Sequence, residues 1–340
     1  VTIPNGSFAV QSTVSISTAD NSRFGTSAAS ASYLLEGIPV NFGAPITVSI
    51  ESSKTLTGDV YIAIGTEGPD LFGVDTTISD RLFPATVTGT TATCTIPPGF
   101  ATSAKPAGAL KEDYLAMTAT ILNDYLNKPV AKHFTMVGPK QKETELVGLA
   151  AYCEDIRTRL EGYGFSFNLP GNKCSLDRIK VEGDYLNSKI KIYDYFDNED
   201  VPTLGVDLNF LTFPLTDAMK QEAAIRLSNL LAQYYCPSEI NASFFWFDTA
   251  VSHWLGRVIT STKQNFDPLF VLAGIPNISE INSEKIFDYS SHWMLLMEYF
   301  HNRFDLIGSS HLLSNIYWER YAGKTIAESI TAVLGMDETT

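Results

Sequence analysis

Residues 216–235 carry apolar side chains at helical spacing and contain the sequence QEAAI at positions 221–225. Two histidines four positions apart on a helix, with a glutamate directly after the first, bind zinc and place a general base beside it. Gln221 and Ile225 stand at the two histidine positions of this pattern, and Glu222 stands at the position of the base. Catalytic zinc takes three protein ligands; glutamine is a poor one and isoleucine cannot bind. Because no metal would acidify a water, the pattern predicts that Glu222 has nothing to activate.

Two further groups of residues have types that could do chemistry. His253 and His292 each follow a serine directly. Neighbouring residues on a helix do not face each other, so these Ser-His pairs cannot act as nucleophile and base. Glu298 and His301 have the spacing of one half of a di-iron site, but a second such pair is missing. The aromatic run FFWF at 244–247 is expected in the core, with a stacking platform for sugar or peptide as the alternative.

Composition and charge limit the partners. The chain has 340 residues, of which 44% are hydrophobic, and a net charge of −14. Such a chain repels nucleic acid and anionic membranes, and no apolar run reaches the roughly 18 residues of a transmembrane helix. Serine, threonine and asparagine are frequent before residue 105, which favours a secreted or surface protein over a cytosolic enzyme.

The four cysteines exclude a zinc ribbon and a thioredoxin-type motif, because no two of them form a C-x-x-C pair. They are Cys94, Cys153, Cys174 and Cys236. An even number permits disulfides, and the end of a predicted helix would bring Cys153 closest to Cys174. Free thiols remain the alternative, since a chain of this length does not need disulfides for stability.

The chain divides into two parts by its periodicity. Residues 1–100 contain short alternating runs at 8–12-residue spacing, separated by Gly and Pro turns, which is typical of a β-sandwich. Residues 102–108 have the composition of a linker, so we predict domains at 1–104 and 105–340. In the second domain we predict helices, with strands in the middle of the domain, and therefore an α+β fold. The predicted helices cover 108–128, 142–165, 216–235, 243–261, 284–304, 309–322 and 324–335, and the strands cover 131–138, 177–183, 189–196 and 203–214.

Residues 105–340 resemble the zincin-like domain of gluzincin metallopeptidases of the peptidase-MA-like kind. The resemblance rests on the order of elements and on four segments. These are RLEGYGF at 159–165, QEAAI at 221–225, WFDTAVSHWL at 246–255 and YSSHWMLLMEYFHNRF at 289–304. It implies a small mixed sheet followed by helices, with QEAAI in the place of the zinc-binding motif.

The same resemblance implies that the metal ligands are lost. Gln221 and Ile225 replace the two histidines, and Thr249 stands where the family has a glutamate as third ligand, with Asp248 one position earlier. Glu222 is retained. The resemblance therefore implies a degenerate site with no metal and no cofactor, and it predicts that Gln221, Glu222 and Ile225 lie close to Asp248 or Thr249. Asp248 taken by itself is typical of an acid in the first turn of a helix.

Three functions remain open at this point. The first is a non-catalytic, secreted or surface-anchored binding protein that resembles the surface lipoproteins of Bacteroidetes and binds a peptide or glycan at the former substrate groove. The second is an active hydrolase that uses metal ligands outside this pattern. The third is a structural or adhesive surface protein.

Overall fold

The computed structural model describes residues 1–9, 11–39, 42–69, 76–98, 114–170, 175–185, 191–196, 201–235, 245–261 and 290–335. The described part of the chain is an α+β protein, as the sequence predicts, with strands dominating its first half and helices its second. The predicted linker at 102–108 lies outside the described residues.

Eight strands precede residue 124 and form two antiparallel sheets. They are β1 (Ser15–Ala19), β2 (Ser32–Pro39), β3 (Ile46–Glu51), β4 (Val60–Pro69), β5 (Thr76–Pro84), β6 (Thr86–Thr88), β7 (Thr91–Ile96) and β8 (Tyr114–Asn123). The first sheet has the order β1-β2-β8-β4-β5, and a three-stranded sheet has the order β3-β7-β6. Alternate residues of both sheets, such as Val48 and Ile62, are buried in one shared core, because successive side chains of a strand point to opposite faces.

The helix predicted at 108–128 is wrong for the residues that the structure describes. Strand β8 occupies the centre of the first sheet, between β2 and β4. Met117, Ala119 and Ile121 all point into the shared core, which is the two-residue period of a strand. Alanine, methionine and leucine favour helices in isolation, but the two neighbouring strands and the burial of alternate residues decide the structure here. The first sheet therefore extends beyond residue 104.

Another five-stranded sheet follows among the described residues, with the order β12-β13-β11-β10-β9. It is called the second sheet below, and the sheet β1-β2-β8-β4-β5 is called the first. The strands are β9 (Tyr125–Pro129), β10 (Phe134–Pro139), β11 (Ile179–Asp184), β12 (Ile192–Phe196) and β13 (Pro202–Asp207). The three central strands are parallel, and β9 and β12 are antiparallel edges. This sheet is mixed, and β10 to β13 overlap predicted strands, whereas most of β9 lies in the segment predicted as a helix.

Six helices complete the described part of the chain: α1 (Glu143–Gly162), α2 (Asp217–Tyr235), α3 (Phe245–Thr260), α4 (Ser290–Phe304), α5 (Leu312–Tyr321) and α6 (Ile326–Leu334). They overlap the predicted helices from residue 142 onwards. Apolar side chains of these helices and of one face of the second sheet form the largest core, which includes Leu204, Leu227 and Trp254. None of these helices combines the length and the apolar character that crossing a membrane requires.

The second sheet lies between the helices and the N-terminal strands. Val181 and Val206 belong to the core on the helix side. On the other side, the Tyr185 amide donates to the Arg23 carbonyl at 2.9 Å, and Phe24 packs edge-on against Tyr125 with ring centroids 6.4 Å apart. We call the contact between this side of the second sheet and the N-terminal strands, which includes Arg23, Phe24, Tyr125 and Tyr185, the junction layer.

Neither of the two described cysteines forms a disulfide. Cys153 is a buried free thiol, because its position on α1 faces the large core, and burial raises its pKa. Cys94 is also buried and free, and burial raises its pKa to about 12. Cys174 and Cys236 lie outside the described residues.

Candidate functional site

Helix α2 carries the QEAAI sequence, and its beginning is well defined. The Thr216 hydroxyl accepts a hydrogen bond from the Met219 amide at 3.3 Å, which satisfies one of the free amides of the first turn. Asp217 in that turn interacts favourably with the helix dipole. One side of the helix is apolar and buried, with Ala223 and Leu227 in the large core.

The other side of α2 carries a polar stripe, which consists of Glu222, Arg226, Asn229 and Gln233. Residues three and four positions apart on a helix lie above one another, so these four side chains follow a single line. The stripe faces Asp194 of the edge strand β12.

Asp194 is a buried carboxylate held by three donors of this stripe. Asn229 Nδ2 lies 2.7 Å and Gln233 Nε2 lies 3.2 Å from Oδ2, and Arg226 Nη1 lies 3.4 Å from Oδ1. Burial raises the pKa of Asp194, while Arg226 and Asn229 oppose the shift. These bonds attach the edge strand to α2.

Glu222, the retained general-base position, is bound by the same arginine. Its Oε1 lies 2.8 Å from both Nε and Nη2 of Arg226. Arg226 therefore bridges Glu222 and Asp194. The charge of Glu222 is thus paired with a cation on the same helix.

Ile225 is buried against α3, and the space beside it is filled. A Cβ atom added to Gly256 would lie 2.5 Å from Ile225 Cγ1 and 3.5 Å from the carbonyl oxygen of Gln221. The two helices thus approach closely at this point because Gly256 has no side chain. A metal ion with an imidazole at position 225 does not fit this packing.

His253 lies one turn before Gly256 and is the histidine that the structure brings to this cluster. Burial lowers its pKa, and Arg226 lowers it further, while Glu222 acts in the opposite direction. His253 is therefore neutral at physiological pH. The sequence pattern predicts only core packing beside a tryptophan for this residue.

Asp248 forms its hydrogen bonds with helix α5 and not with the residues of α2 named above. Its Oδ1 accepts hydrogen bonds from Tyr317 Oη at 2.8 Å and from Arg320 Nη1 at 2.6 Å, both on α5. Eight positions separate it from Gly256, which corresponds to about 12 Å along the helix axis. Thr249 is buried next to it in the chain. Gln221, Glu222 and Ile225 share α2, but the structure does not bring Asp248 to them.

The described residues contain no group of three or more His, Cys, Asp or Glu side chains placed to hold a metal ion. Glu298, considered above as half of a metal site, accepts hydrogen bonds from Trp254 Nε1 at 2.9 Å and from Arg257. It ties α4 to α3. Phe247 of the FFWF run is buried. That the QEAAI region is the remnant of a zinc site stays a prediction.

Among the described residues, strand β12 lies at the edge of the sheet beside α2, and its amides alternate in direction. The Asp207 amide donates to the Lys191 carbonyl at 2.9 Å. Antiparallel ladders alternate, so the amides of Tyr193 and Tyr195 point to β13, and those of Ile192 and Asp194 point to the outer edge. The rings of Tyr193 and Tyr195 stack at 5.6 Å on the face opposite to Asp194.

Sequence reasoning missed Asp194 and Arg226, and it did not place His253 in this cluster. For Asp194 and Arg226 the sequence contains a pattern that could have identified them. Asp194 follows Ile192 by two positions in an alternating strand, so it had to share the buried face. Arg226 lies four positions after Glu222, the spacing of a helical ion pair. Nothing in the sequence connects His253 to Glu222.

Comparison with known proteins gives only weak matches. No protein family and no curated protein matches the chain. Native leukotriene A4 hydrolase from Saccharomyces cerevisiae is structurally similar at 8% identity and a TM-score of 0.35, over 87% of this chain and 59% of that chain. The yeast enzyme in complex with bestatin gives 8% identity and a TM-score of 0.37, over 90% and 61%. The chain thus spans about three fifths of these enzymes.

Proposed function

We propose that this chain is a non-catalytic binding protein whose helical region has a metallopeptidase-like arrangement without the metal chemistry. The observation that carries the proposal is the ion pair of Glu222 with Arg226 at 2.8 Å. A general base has to take a proton from the attacking water. Glu222 is instead neutralised by a neighbouring arginine, beside a buried Ile225 that has no atom able to bind a metal.

The edge of β12 is the proposed binding surface, and an extended peptide is the proposed ligand. An edge strand offers free amides and carbonyls that another strand can pair with. β12 is five residues long and is fixed to α2 through Asp194. A peptide added here would lie antiparallel or parallel to β12 and would be bound through its main chain, with little dependence on its sequence.

The proposal also includes a β-sandwich architecture for the N-terminal strands and a secreted or cell-surface location for the protein. The two N-terminal sheets share one core, which supports a β-sandwich. The abundance of serine, threonine and asparagine in this part supports a secreted or cell-surface protein, as the resemblance to surface lipoproteins implies. A glycan is the less favoured ligand, since Phe247 of the FFWF run is buried rather than available for stacking.

The test uses the full chain and a pool of fluorescein-labelled nine-residue peptides of uncharged, β-favouring sequence. We expect saturable binding by fluorescence polarisation and no cleavage by mass spectrometry, with or without added zinc. Matched peptides that are N-methylated at alternate residues should not bind, because they lack the main-chain donors. Deuterium exchange should show protection of residues 192–196 when a peptide is bound.

Two results would overturn the proposal. Zinc-dependent hydrolysis of the peptides, together with about one zinc per chain after dialysis, would show an active metallopeptidase. Equal binding of methylated and unmethylated peptides, or protection confined to another part of the chain, would show that the β12 edge is not the binding surface.

A further inference from the structure

The junction layer between the second sheet and the N-terminal strands contains a concentration of carboxyl groups. Glu182 and Asp184 of β11 face this layer, and Asp207 of β13 is the register partner of Asp184. Asp80 of β5 enters from the first sheet with a side chain that is only 6% exposed. The charges of Glu182 and Asp80 both act on Asp184.

Arg23 is a cation of the same layer. Arg23 forms a two-point ion pair with Asp80, with Nε–Oδ2 and Nη2–Oδ1 distances of 2.7 Å each. Arg23 also attracts the charge of Asp184. Lys180 is on the same face of β11 as Glu182, two positions earlier in the strand. Arg23 therefore acts on two of the four carboxyl groups, Asp80 and Asp184.

Three tyrosines complete the surroundings of these carboxyl groups. Tyr195 Oη donates to Glu182 Oε2 at 2.7 Å, and Tyr125 Oη lies 3.4 Å from the Gly183 carbonyl. The Tyr193 ring covers Gly205, where an added Cβ would be 2.1 Å from the ring. Burial raises the pKa of all three tyrosines well above the usual value. They remain hydrogen-bond donors and supply no positive charge.

The pKa shifts of Asp184 and Asp80 determine how the stability of the fold depends on pH. Burial raises the pKa of Asp184 well above its ordinary range, and Glu182 and Asp80 raise it further, while Arg23 opposes. Burial also raises the pKa of Asp80 against the attraction of Arg23. An acid with a raised folded-state pKa stabilises the fold in its protonated form. That contribution is complete below the ordinary aspartate pKa of about 3.9 and is lost as the pH rises through the raised value.

We propose that the junction layer is a pH-sensitive clamp, which holds the N-terminal strands most tightly to the second sheet in mild acid and loosens as the pH rises. The contacts of the layer support this, because the Arg23 turn that pairs with Asp80 also provides the main-chain link to Tyr185 at 2.9 Å. Phe24, the next residue, packs on Tyr125. Repulsion among the ionised carboxylates would act directly on these contacts.

The first experiment measures the thermal unfolding midpoint of the full chain between pH 5 and pH 8. We compare the natural chain with Asp184→Asn and Glu182→Gln, which keep the shape but remove the charge. Asp217→Asn is the control, since the Asp217 side chain is 87% exposed. We expect Asp184→Asn to raise the midpoint at pH 8 by a few degrees and to change it little at pH 5. Glu182→Gln should act with the same sign, and the control, which loses a charge that favours the helix dipole, should lower the midpoint by the same small amount at both pH values.

The second experiment measures deuterium exchange of residues 22–27, corrected for the intrinsic effect of pH. Protection should fall from pH 5 to pH 8 in the natural chain and should fall less in Asp184→Asn. The clamp is overturned if Asp184→Asn lowers the midpoint equally at both pH values, or if protection in the natural chain does not depend on pH. If Asp184→Asn does not fold, the same measurements on Glu182→Gln and on the natural chain test the proposal.

Discussion

On the helix side of the second sheet, Asp194 is a buried carboxylate with three donors from α2 around it. On the opposite side, Glu182 and Asp184 share the junction layer with Asp80, which pairs with Arg23. In the first arrangement several donors bind one charge, whereas in the second the charges of Glu182 and Asp80 repel that of Asp184. The first is suited to fixing a strand in place, and the second is suited to responding to pH.

The difference follows from which elements supply the partners. The donors of Asp194 come from a helix, where spacing of three and four positions lines up several side chains on one buried atom. The partners of Asp184 come from strands and a turn. Each strand presents only every second residue to a given face, so few donors can reach one carboxylate. Burial and the charges of Glu182 and Asp80 raise the pKa of Asp184 by more than Arg23 and Tyr125 lower it.

The largest effect should come from removing the cation of the junction layer. Arg23→Met leaves Asp80 buried without its ion pair, which should reduce the free energy of unfolding by about 3–5 kcal/mol at pH 8. The loss should be smaller at pH 5, because the carboxyl groups can then take up protons. Urea unfolding at the two pH values measures this difference.

Lys220→Met is the matched control for this variant. Lys220 is a half-exposed lysine that pairs with the exposed Asp217 at 3.3 Å, and such surface pairs contribute about 0–1 kcal/mol. A pH-independent loss in Arg23→Met would contradict the contrast between the two faces of the sheet.

A smaller loss is expected from Asp194→Ala. The variant leaves the donors of Asn229 and Gln233 without an acceptor in a buried position, at a cost of about 2–3 kcal/mol. The third partner, Arg226, is partly exposed and can be hydrated, which limits the effect. Asp194→Asn keeps one acceptor oxygen and should lose about half as much. Chemical unfolding of both variants tests this, and equal losses would show that hydrogen bonding to Asp194 is not what holds β12.

Tyr195→Phe should have a still smaller effect. It removes the 2.7 Å hydrogen bond to Glu182 and should reduce the free energy of unfolding by about 1–2 kcal/mol. The stacked ring of Tyr193 stays in contact with the phenylalanine. Tyr299→Phe, at an exposed position on α4, is the control and should be neutral in the same unfolding measurement. A neutral Tyr195→Phe would mean that Glu182 does not depend on this donor.

The sequence was informative where one local pattern dominates. The extent of α2 follows from its apolar period and from Thr216 and Asp217 at its beginning. Four strands of the second sheet, β10 to β13, follow from β-branched and aromatic runs. The sequence misled at β8, because Leu115, Ala116 and Met117 favour a helix in isolation and only the flanking strands β2 and β4 impose an extended chain.

The candidate site was predictable only in part, for a related reason. The QEAAI sequence draws attention to Glu222, and its partner Arg226 lies within the same helix. Asp194, His253 and the bond between Asp248 and Arg320 depend on contacts between elements that are distant in the chain. Local spacing does not encode which helices meet, so these contacts needed coordinates.

The smallest effect on stability is expected from Glu222→Gln, and it separates the two interpretations of QEAAI. Glu222 and Arg226 are each about 30% exposed, and a pair of this kind contributes about 0–1 kcal/mol. Arg226 keeps Asp194 as a partner in the variant, so the fold should lose little. In an enzyme that uses the glutamate as general base, the same substitution would remove most of the activity, whereas here zinc content, peptide cleavage and peptide binding should all stay unchanged. Assays of the natural chain and the variant side by side measure all three. A cleavage rate that is detectable in the natural chain and lost in Glu222→Gln would show that Glu222 is a working base, and the ion pair with Arg226 would then have to open during the reaction.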